Sequence, residues 1–500
     1  MKLLVIGIDG GTKEIIEGMP MPFTQSLFKN ANSKTLQEDP LSRGWAEALT
    51  GCHASENKGF YISPYADKTY DFNHGYSKKE MESSSPNPPL WTMLNDQGCS
   101  VGIINVPTTG PAAEVDGFLI SGGGGGLSSI GGVPKGMFYP ESIEESLIKN
   151  KYIFDIRLSK KETTISQFIK KIADAETTQK QTFLELANKH QPDFGFFCIR
   201  MITEVQYLTR YEIKRCIEGI NSAKENNKPF VPENTVQETL MDYYQQVDDH
   251  IKEVFESIQP QEFLFISDHS TALFNHDLNL DVWLANNQFL TEISPLEKLY
   301  QRFYRSWKLT RFLNKLGIKR AFQKKFEKRP TREMITQFKP TKTKAFGTFF
   351  DSGNFAGIFI NDAKRFAGPV ADSEDVDKLV DEICTKFNAD NETQKHNLQA
   401  VPYRRRFKES KFFDLMPDIQ IEKPDTTYCS GRNWAFISEN PNLKPFEDKL
   451  EGVSYPHTGL KGTDPLFVYS KNLESCIDKN DSNDLRMAYR LISRFFETEK

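Results

Sequence analysis

Residues 88–122 read PPLWTMLNDQGCSVGIINVPTTGPAAEVDGFLISG, and this stretch decides the fold class. Pro89 to Asp96 is a helix candidate, and Val101 to Val106 (VGIINV) is a short β-branched run of the kind that forms a buried strand. A helix followed closely by such a strand is the repeating unit of a parallel sheet covered on both faces. Working outward, the same alternation recurs. Leu3 to Ile8 is a first strand. Phe194 to Ile199 (FGFFCI) follows a long helical stretch from Ile165 to His190. Phe263 to Ser267 (FLFIS) follows a helix from Thr235 to Ile258, and Leu466 to Tyr469 (LFVY) offers a late strand. The expected class is α/β: a three-layer α/β/α sandwich with a mostly parallel central sheet.

Composition narrows the function classes. The chain has 500 residues, 38% hydrophobic and 26% charged, enough to bury a large core. A net charge of −5 gives no global attraction to nucleic acid, and no nucleic-acid polymer is expected as a partner. The apolar run after Met1 is short and meets Asp9, so it reads as a buried strand and not as a signal peptide. No stretch reaches the ~18 apolar residues of a membrane span. Seven scattered cysteines without a CxxC pair suit reduced thiols and a cytoplasmic location.

Two segments stand apart. Leu299 to Lys344 is strongly basic, with aromatics at helical spacing (Tyr300, Phe303, Tyr304, Trp307, Phe312, Phe322, Phe326). It reads as a helical insertion over 291–344 in a core of 1–290 and 345–500. Such a helix packs its apolar stripe on its own protein, or alternatively lies on an anionic membrane. Gly122 to Gly126 is a run of five glycines with no Lys-Ser/Thr after it, hence a loop and no nucleotide P-loop.

In open α/β sheets, ligands bind where the strands end. The first strand ends in Asp9 and the fourth in Asp268-His269, all ionisable. Asp9 also fits as the cap of a turn before Gly10-Gly11.

With these residues in view, the chain resembles the type I phosphodiesterase/nucleotide pyrophosphatase group of the alkaline phosphatase superfamily, closest to its predicted phosphohydrolase/phosphomutase branch. LLVIGIDGGTKEIIEGMPMPFTQSLF looks like the family's first strand, metal-binding Asp and helix; PLSRGWAEALTG is similar to its nucleophile segment. The 88–122 stretch is the longest match, implying a Leu-Trp helix, a strand, an Asn-Val-Pro turn and an Asp-Gly hairpin at Asp116-Gly117. YYQQVDDHIKEVFE with FLFISDHS resembles the helix and strand that deliver an Asp-His metal pair, while NLDVWLANNQFL and FAGIFINDAKRFAGPV resemble later blocks.

What the resemblance implies is a two-metal site for cleaving phosphate or sulfate esters, with ions roughly 4 Å apart clamping the attacking and leaving oxygens. By motif, Asp9, Ser42, Asp268 and His269 would hold one metal, with Ser42 as nucleophile and Arg43 helping to hold an anionic group. Ser42 stands one residue closer to Trp45 than the family spacing, where Leu41 sits, and it also fits as a cap of the helix near Trp45. The family's second metal takes Asp and His four residues apart after the third strand, then a late His. The matching positions in RMITEVQYLTR are Thr203 and Tyr207, and in HTGLKGTDPLFVYS the His position is Lys461. A one-residue slip would offer Glu204 with Leu208, and His457 lies four residues before Lys461. The expectation is therefore one divalent metal ion, zinc first, with manganese, magnesium or calcium as alternatives. Lys461 would supply a fixed charge in place of the second ion. The substrate would be a small anionic phosphate ester or sulfate ester. The alternative is an inactive family member that binds an anionic ligand. His53, His74 and His276 fall in loops after motif segments and are lesser candidates; His190, His250 and His396 carry no signal.

Overall fold

The structure is a computed structural model and describes residues 1–123, 133–158, 163–292, 338–347, 355–430, 435–450 and 457–498. The chain divides into two compact units, one of Met1–Tyr61, His74–Asn275 and Glu439–Lys500, the other of Ile62–Asn73 and His276–Ser438.

The first unit is built on an eight-stranded sheet. Its strands are β1 (Leu3–Ile8), β2 (Asn32–Ser33), β3 (Val101–Ile104), β4 (Gly117–Ile120), β5 (Phe138–Tyr139), β6 (Phe194–Ile199), β7 (Glu262–Ile266) and, after a separate pair, β10 (Phe467–Tyr469). That pair is β8 (Ser270–Leu273) and β9 (Gly459–Gly462). The sheet order is β2-β10-β7-β1-β6-β3-β4-β5, and β7, β1, β6, β3 and β4 run parallel. Only the margins are antiparallel, among them the late strand β10 against β7.

A strand covered on both faces has no solvent side to make polar, so it reads as a continuous apolar run. In β1 all six residues are buried: Leu4, Ile6 and Ile8 join one hydrophobic cluster, Leu3 and Val5 the other. Among the helices of the cover are α1 (Gly44–Thr50), α2 (Leu90–Asp96), α3 (Ile165–His190), α4 (Ile202–Glu225), α5 (Thr235–Ile258) and α6 (Arg486–Thr498). Buried residues of α3, α4 and α5 belong to the first cluster, those of α1, α2 and α6 to the second. This is the three-layer α/β/α arrangement. Side-chain caps set two of the starts, Thr164 accepting from the Gln167 N–H and Asn234 from the Gln237 N–H.

One expectation fails here. Asp116-Gly117 is not the turn of a hairpin, because β3 and β4 pair in parallel, Val101 opposite Gly117. A two-residue turn reverses the chain and cannot join parallel strands. The twelve residues between them make the crossover instead.

The second unit has its own core. A four-stranded antiparallel sheet runs Ala345–Gly347, Gly357–Ile360, Ile419–Glu422, Gln399–Pro402, with the helix Ser373–Ala389 contributing to the same cluster. Buried Arg365 is held by Asp362 at 2.6 Å and Asp418 at 2.5 Å. The blocks NLDVWLANNQFL and FAGIFINDAKRFAGPV both belong to this unit, a division the sequence reading did not make. The basic insertion lies, over 293–337, outside the described residues, as do Gly124 to Gly126 of the glycine run. Among the described residues, no helix is long and apolar enough to cross a membrane.

Candidate active site and metal centre

β7 and β1 are sheet neighbours, Ile266 lying beyond the Phe265–Ile6 pair and opposite Gly7, so the residues just past their ends meet. Asp9, Asp268 and His269 are all buried there, and one ligand atom from each lies within 4.8 Å of the others. His269 Nδ1 is 2.7 Å from the Ser270 carbonyl, which can only accept, so Nδ1 carries the proton and Nε2 the lone pair. Nε2 faces Asp268 Oδ2 at 3.5 Å and Asp9 Oδ1 at 3.8 Å.

Burial and then the Asp268 charge push the Asp9 carboxyl up to about 6. Burial raises Asp268 as well, with Lys461 pulling it back. Burial, aided by Lys461, holds His269 down at about 3, so the imidazole is neutral. Two crowded carboxyls that resist ionisation, beside an unprotonated ring nitrogen, are what a divalent cation relieves. A donor set of two carboxylates and one imidazole is of the kind that divalent ions take.

Close backbone approach makes this convergence feasible. A Cβ on Gly44 would fall 2.2 Å from the Asp268 carbonyl oxygen, so the start of α1 can rest there only as glycine. A Cβ on Gly7 would fall 3.0 Å from the Trp45 ring, and that ring donates Nε1–H to Asp9 Oδ2 at 3.1 Å. Trp45 thus orients one candidate ligand.

The positions matched to a second metal come to the same place. Thr203 and Tyr207 lie four apart on one face of α4. The Tyr207 hydroxyl is 3.3 Å from His269 Nε2, its ring stacked on the imidazole with centroids 6.3 Å apart. Lys461 sits opposite Thr271 in the β8–β9 pair, which sets its Nζ 4.0 Å from Asp268 Oδ2 and 3.9 Å from the Tyr61 ring centroid. Burial lowers the Lys461 ammonium below its usual range, while Asp268 and Asp9 hold it up. His457 instead packs edge-on against Tyr207 and Phe274. Glu204 is taken by Arg157 at 2.7 Å and Arg200 at 3.5 Å. Lys461, and not His457, faces the three candidate ligands.

Ser42 and Arg43 end up differently from each other. The Ser42 hydroxyl donates to Glu47 Oε1 at 2.6 Å and accepts the Ala54 N–H at 3.1 Å, with no hydrogen bond to Asp9, Asp268 or His269. Arg43 precedes α1 as its N-cap residue and lays its guanidinium over Tyr61, 4.9 Å from the centroid. It donates to the Phe60 carbonyl at 2.9 Å and the His74 carbonyl at 2.6 Å, and among the described residues no carboxylate pairs with it.

Of the lesser histidines, His53 contacts Ser55 and Asp39, His74 lends its carbonyl to Arg43, and His276 packs edge-on against His396 in the second unit. All seven cysteines are buried and none is in a disulfide. The sequence reading missed Tyr61, whose hydroxyl donates to Asp268 Oδ2 at 3.3 Å, and Trp45 as the Asp9 donor. Trp45 was visible as part of the nucleophile-like segment; nothing in the sequence marked Tyr61.

Residues 3–435 match the family model described as type I phosphodiesterase / nucleotide pyrophosphatase. No curated protein matches the chain. Among solved structures, phosphonoacetate hydrolase from Sinorhizobium meliloti 1021 in complex with phosphonoformate is similar at 10% identity, TM-score 0.53, over 99% of this chain and 96% of that one. The same hydrolase with phosphonoacetate gives 10% identity and TM-score 0.52 over the same shares. Murine ectonucleotide pyrophosphatase / phosphodiesterase 5 gives 12% identity and TM-score 0.46, over 99% of this chain and 95% of that one. The two hydrolase structures share the fold. With the family model spanning most of the chain, this protein belongs to the type I phosphodiesterase / nucleotide pyrophosphatase family.

Proposed function

We propose that this chain binds one divalent metal ion, zinc by preference, and beside it the phosphoryl head of a small ester, which it hydrolyses slowly. The observation that carries the reading is the buried Asp9, Asp268 and His269 group, in which the unprotonated Nε2 faces both carboxylates. Asp9, Asp268 and His269 would hold the ion, and Trp45, Tyr61 and the Ser270 carbonyl would orient these ligands. A divalent ion so held supplies Lewis acidity toward a phosphoryl oxygen. Lys461 supplies a fixed ammonium next to Asp268, and the Arg43 guanidinium, bound only to carbonyls, keeps its charge available to an anionic oxygen. The Tyr61 and Tyr207 phenols, held well above their usual range by burial, stay protonated, the Tyr61 hydrogen being donated to Asp268.

Turnover is slow in this reading because Lys461 is a weaker stabiliser than a second ion. Losing a catalytic cation costs several kcal/mol, on the order of a thousandfold in rate. The Ser42–Glu47 hydrogen bond favours a second reading, binding without turnover, since it ties up the hydroxyl expected to attack.

Metal content and an ester screen test both. The full chain, metal-loaded and desalted, is expected to hold about one ion, lost in Asp268→Ala. With metal supplied, para-nitrophenyl phosphate, its bis-ester and para-nitrophenyl sulfate are assayed side by side. Slow, metal-dependent hydrolysis that disappears in Asp268→Ala supports the first reading; a bound ion without hydrolysis supports the second. A chain that takes up no ion overturns the proposal.

A further inference from the structure

The segments 41–43 and 59–61 lie side by side in antiparallel backbone pairing, which fixes where Tyr61 stands. Its N–H donates to the Leu41 carbonyl at 2.9 Å, Ser42 and Phe60 form a β-bridge, and the Arg43 N–H donates to the Gly59 carbonyl at 2.8 Å. The half-buried Tyr61 ring then meets two cations of the candidate site. Arg43 Cζ lies 4.9 Å from its centroid and Lys461 Nζ 3.9 Å, both within cation–π range. The Tyr61 hydroxyl donates to Asp268 Oδ2 at 3.3 Å, the same oxygen that Lys461 Nζ approaches only to 4.0 Å. A lysine on its flexible stem beside a buried carboxylate ordinarily closes to about 2.7–2.9 Å in a charge-assisted hydrogen bond. Lys461 stops short of that, with a phenol on the oxygen and an aromatic ring beside the ammonium.

Resting on the one-metal reading above, we propose that Tyr61 is a positioning residue that keeps Lys461 off Asp268. Its hydroxyl and its ring act on different halves of the site. The hydroxyl occupies Asp268 Oδ2, which leaves that carboxylate a ligand for the ion and not a partner for the ammonium. The ring holds Lys461 and Arg43 where both can meet an anionic oxygen beside the ion. Arg43 depends on it less, because the Phe60 and His74 carbonyls also hold its guanidinium. Lys461 Nζ is held by the ring and by Asp268. Without the ring only the carboxylate remains, so the ammonium moves onto it and competes with the metal.

The experiment uses the full chain, with zinc and inorganic phosphate as probes. Zinc affinity is read by competition with a chelating dye, and phosphate affinity by calorimetry at saturating zinc. Tyr61→Phe, which keeps the ring, should weaken zinc about tenfold and leave phosphate affinity within about threefold. Tyr61→Leu, which loses the ring, should weaken phosphate at least about tenfold as well. A double-mutant cycle separates positioning from packing. Lys461→Met should raise zinc affinity at least about fivefold more in the Tyr61→Leu chain than in the chain with Tyr61 intact, where no ammonium rests on Asp268. A ring that merely fills space gives the same gain in both backgrounds. That result, or Phe and Leu weakening phosphate alike, overturns the inference while leaving the metal-binding reading intact. If Tyr61→Leu does not fold, Tyr61→Phe decides alone, and phosphate affinity that falls as far as zinc affinity overturns the inference. An unaltered chain that takes up no zinc overturns the metal-binding reading first and this one with it.

Discussion

Ser42 illustrates how a single hydroxyl divides two accounts of this site. It donates to Glu47, a carboxyl that burial holds above its usual range and that sits beside Glu38, which burial raises further. An acceptor so buried needs its donor. Ser42→Ala should therefore cost about 1–3 kcal/mol of stability, the usual penalty for a buried group left unpaired. Metal uptake, and any hydrolysis, should stay within about threefold of the unaltered chain if the hydroxyl is structural. Thermal melts and the ester assay check the two halves, and a loss of activity of about a hundredfold or more would restore Ser42 as the attacking group. At this scale the sequence was informative where strands end in ionisable residues, which made Asp9, Asp268 and His269 legible. Lys461 was reached only through the family resemblance, because a lone lysine in a four-residue strand carries no signal of its own. Tyr61 could not have been found: it lies outside any regular element, and only the folded chain brings its hydroxyl to Asp268.

Among the elements, α3 and α5 were readable end to end from their periodicity, Ile165 to His190 and Thr235 to Ile258, because long amphipathic stretches are hard to mistake. Strand direction was less accessible. β10 reads like any other apolar run, yet it pairs antiparallel to β7, and β3 with β4 runs parallel where a hairpin was expected. Pairing partners far apart in the chain decide such matters, not local composition. The α3–α5 contact also hides a titrating group that the site does not use. Glu176 on α3 is fully buried, accepts from the Tyr243 hydroxyl of α5 at 3.0 Å, and is pushed up to about 8 mainly by burial. The folded chain thus keeps a proton that the unfolded chain releases above its ordinary value of 4.5. This contribution to stability is full below about 4.5 and is lost as the pH rises toward 8. Glu176→Gln keeps an oxygen for Tyr243 and removes the ionisation. Denaturant melts should show the variant gaining on the unaltered chain between pH 5 and pH 8 and matching it near pH 4.5. Curves that stay parallel across this range would mean Glu176 does not hold the proton.

At the scale of the molecule, the α/β/α class follows from the alternation of helices and apolar runs, but the second unit does not. Its blocks were read as later parts of one core, since a hydrophobic run does not announce which cluster it will join. The contacts separate them: Trp283, Phe346, Ile358 and Phe387 share a cluster that contains nothing from β1 or β6. All three candidate metal ligands, with Lys461, belong to the first unit, and this makes linkage local. A ligand that binds only the folded form stabilises it by about 2.7 kcal/mol at a hundred times its dissociation constant. Openings that break the site must overcome that term, whereas openings elsewhere need not. Hydrogen exchange with and without zinc should therefore show protection rising up to about a hundredfold in peptides covering 7–12, 266–273 and 457–463. Peptides covering 357–360 and 419–422 should exchange as before. The same pattern should vanish in Asp268→Ala, which retains the backbone but not the ligand. Zinc protection concentrated in the second unit would mean the ion is held by residues other than Asp9, Asp268 and His269.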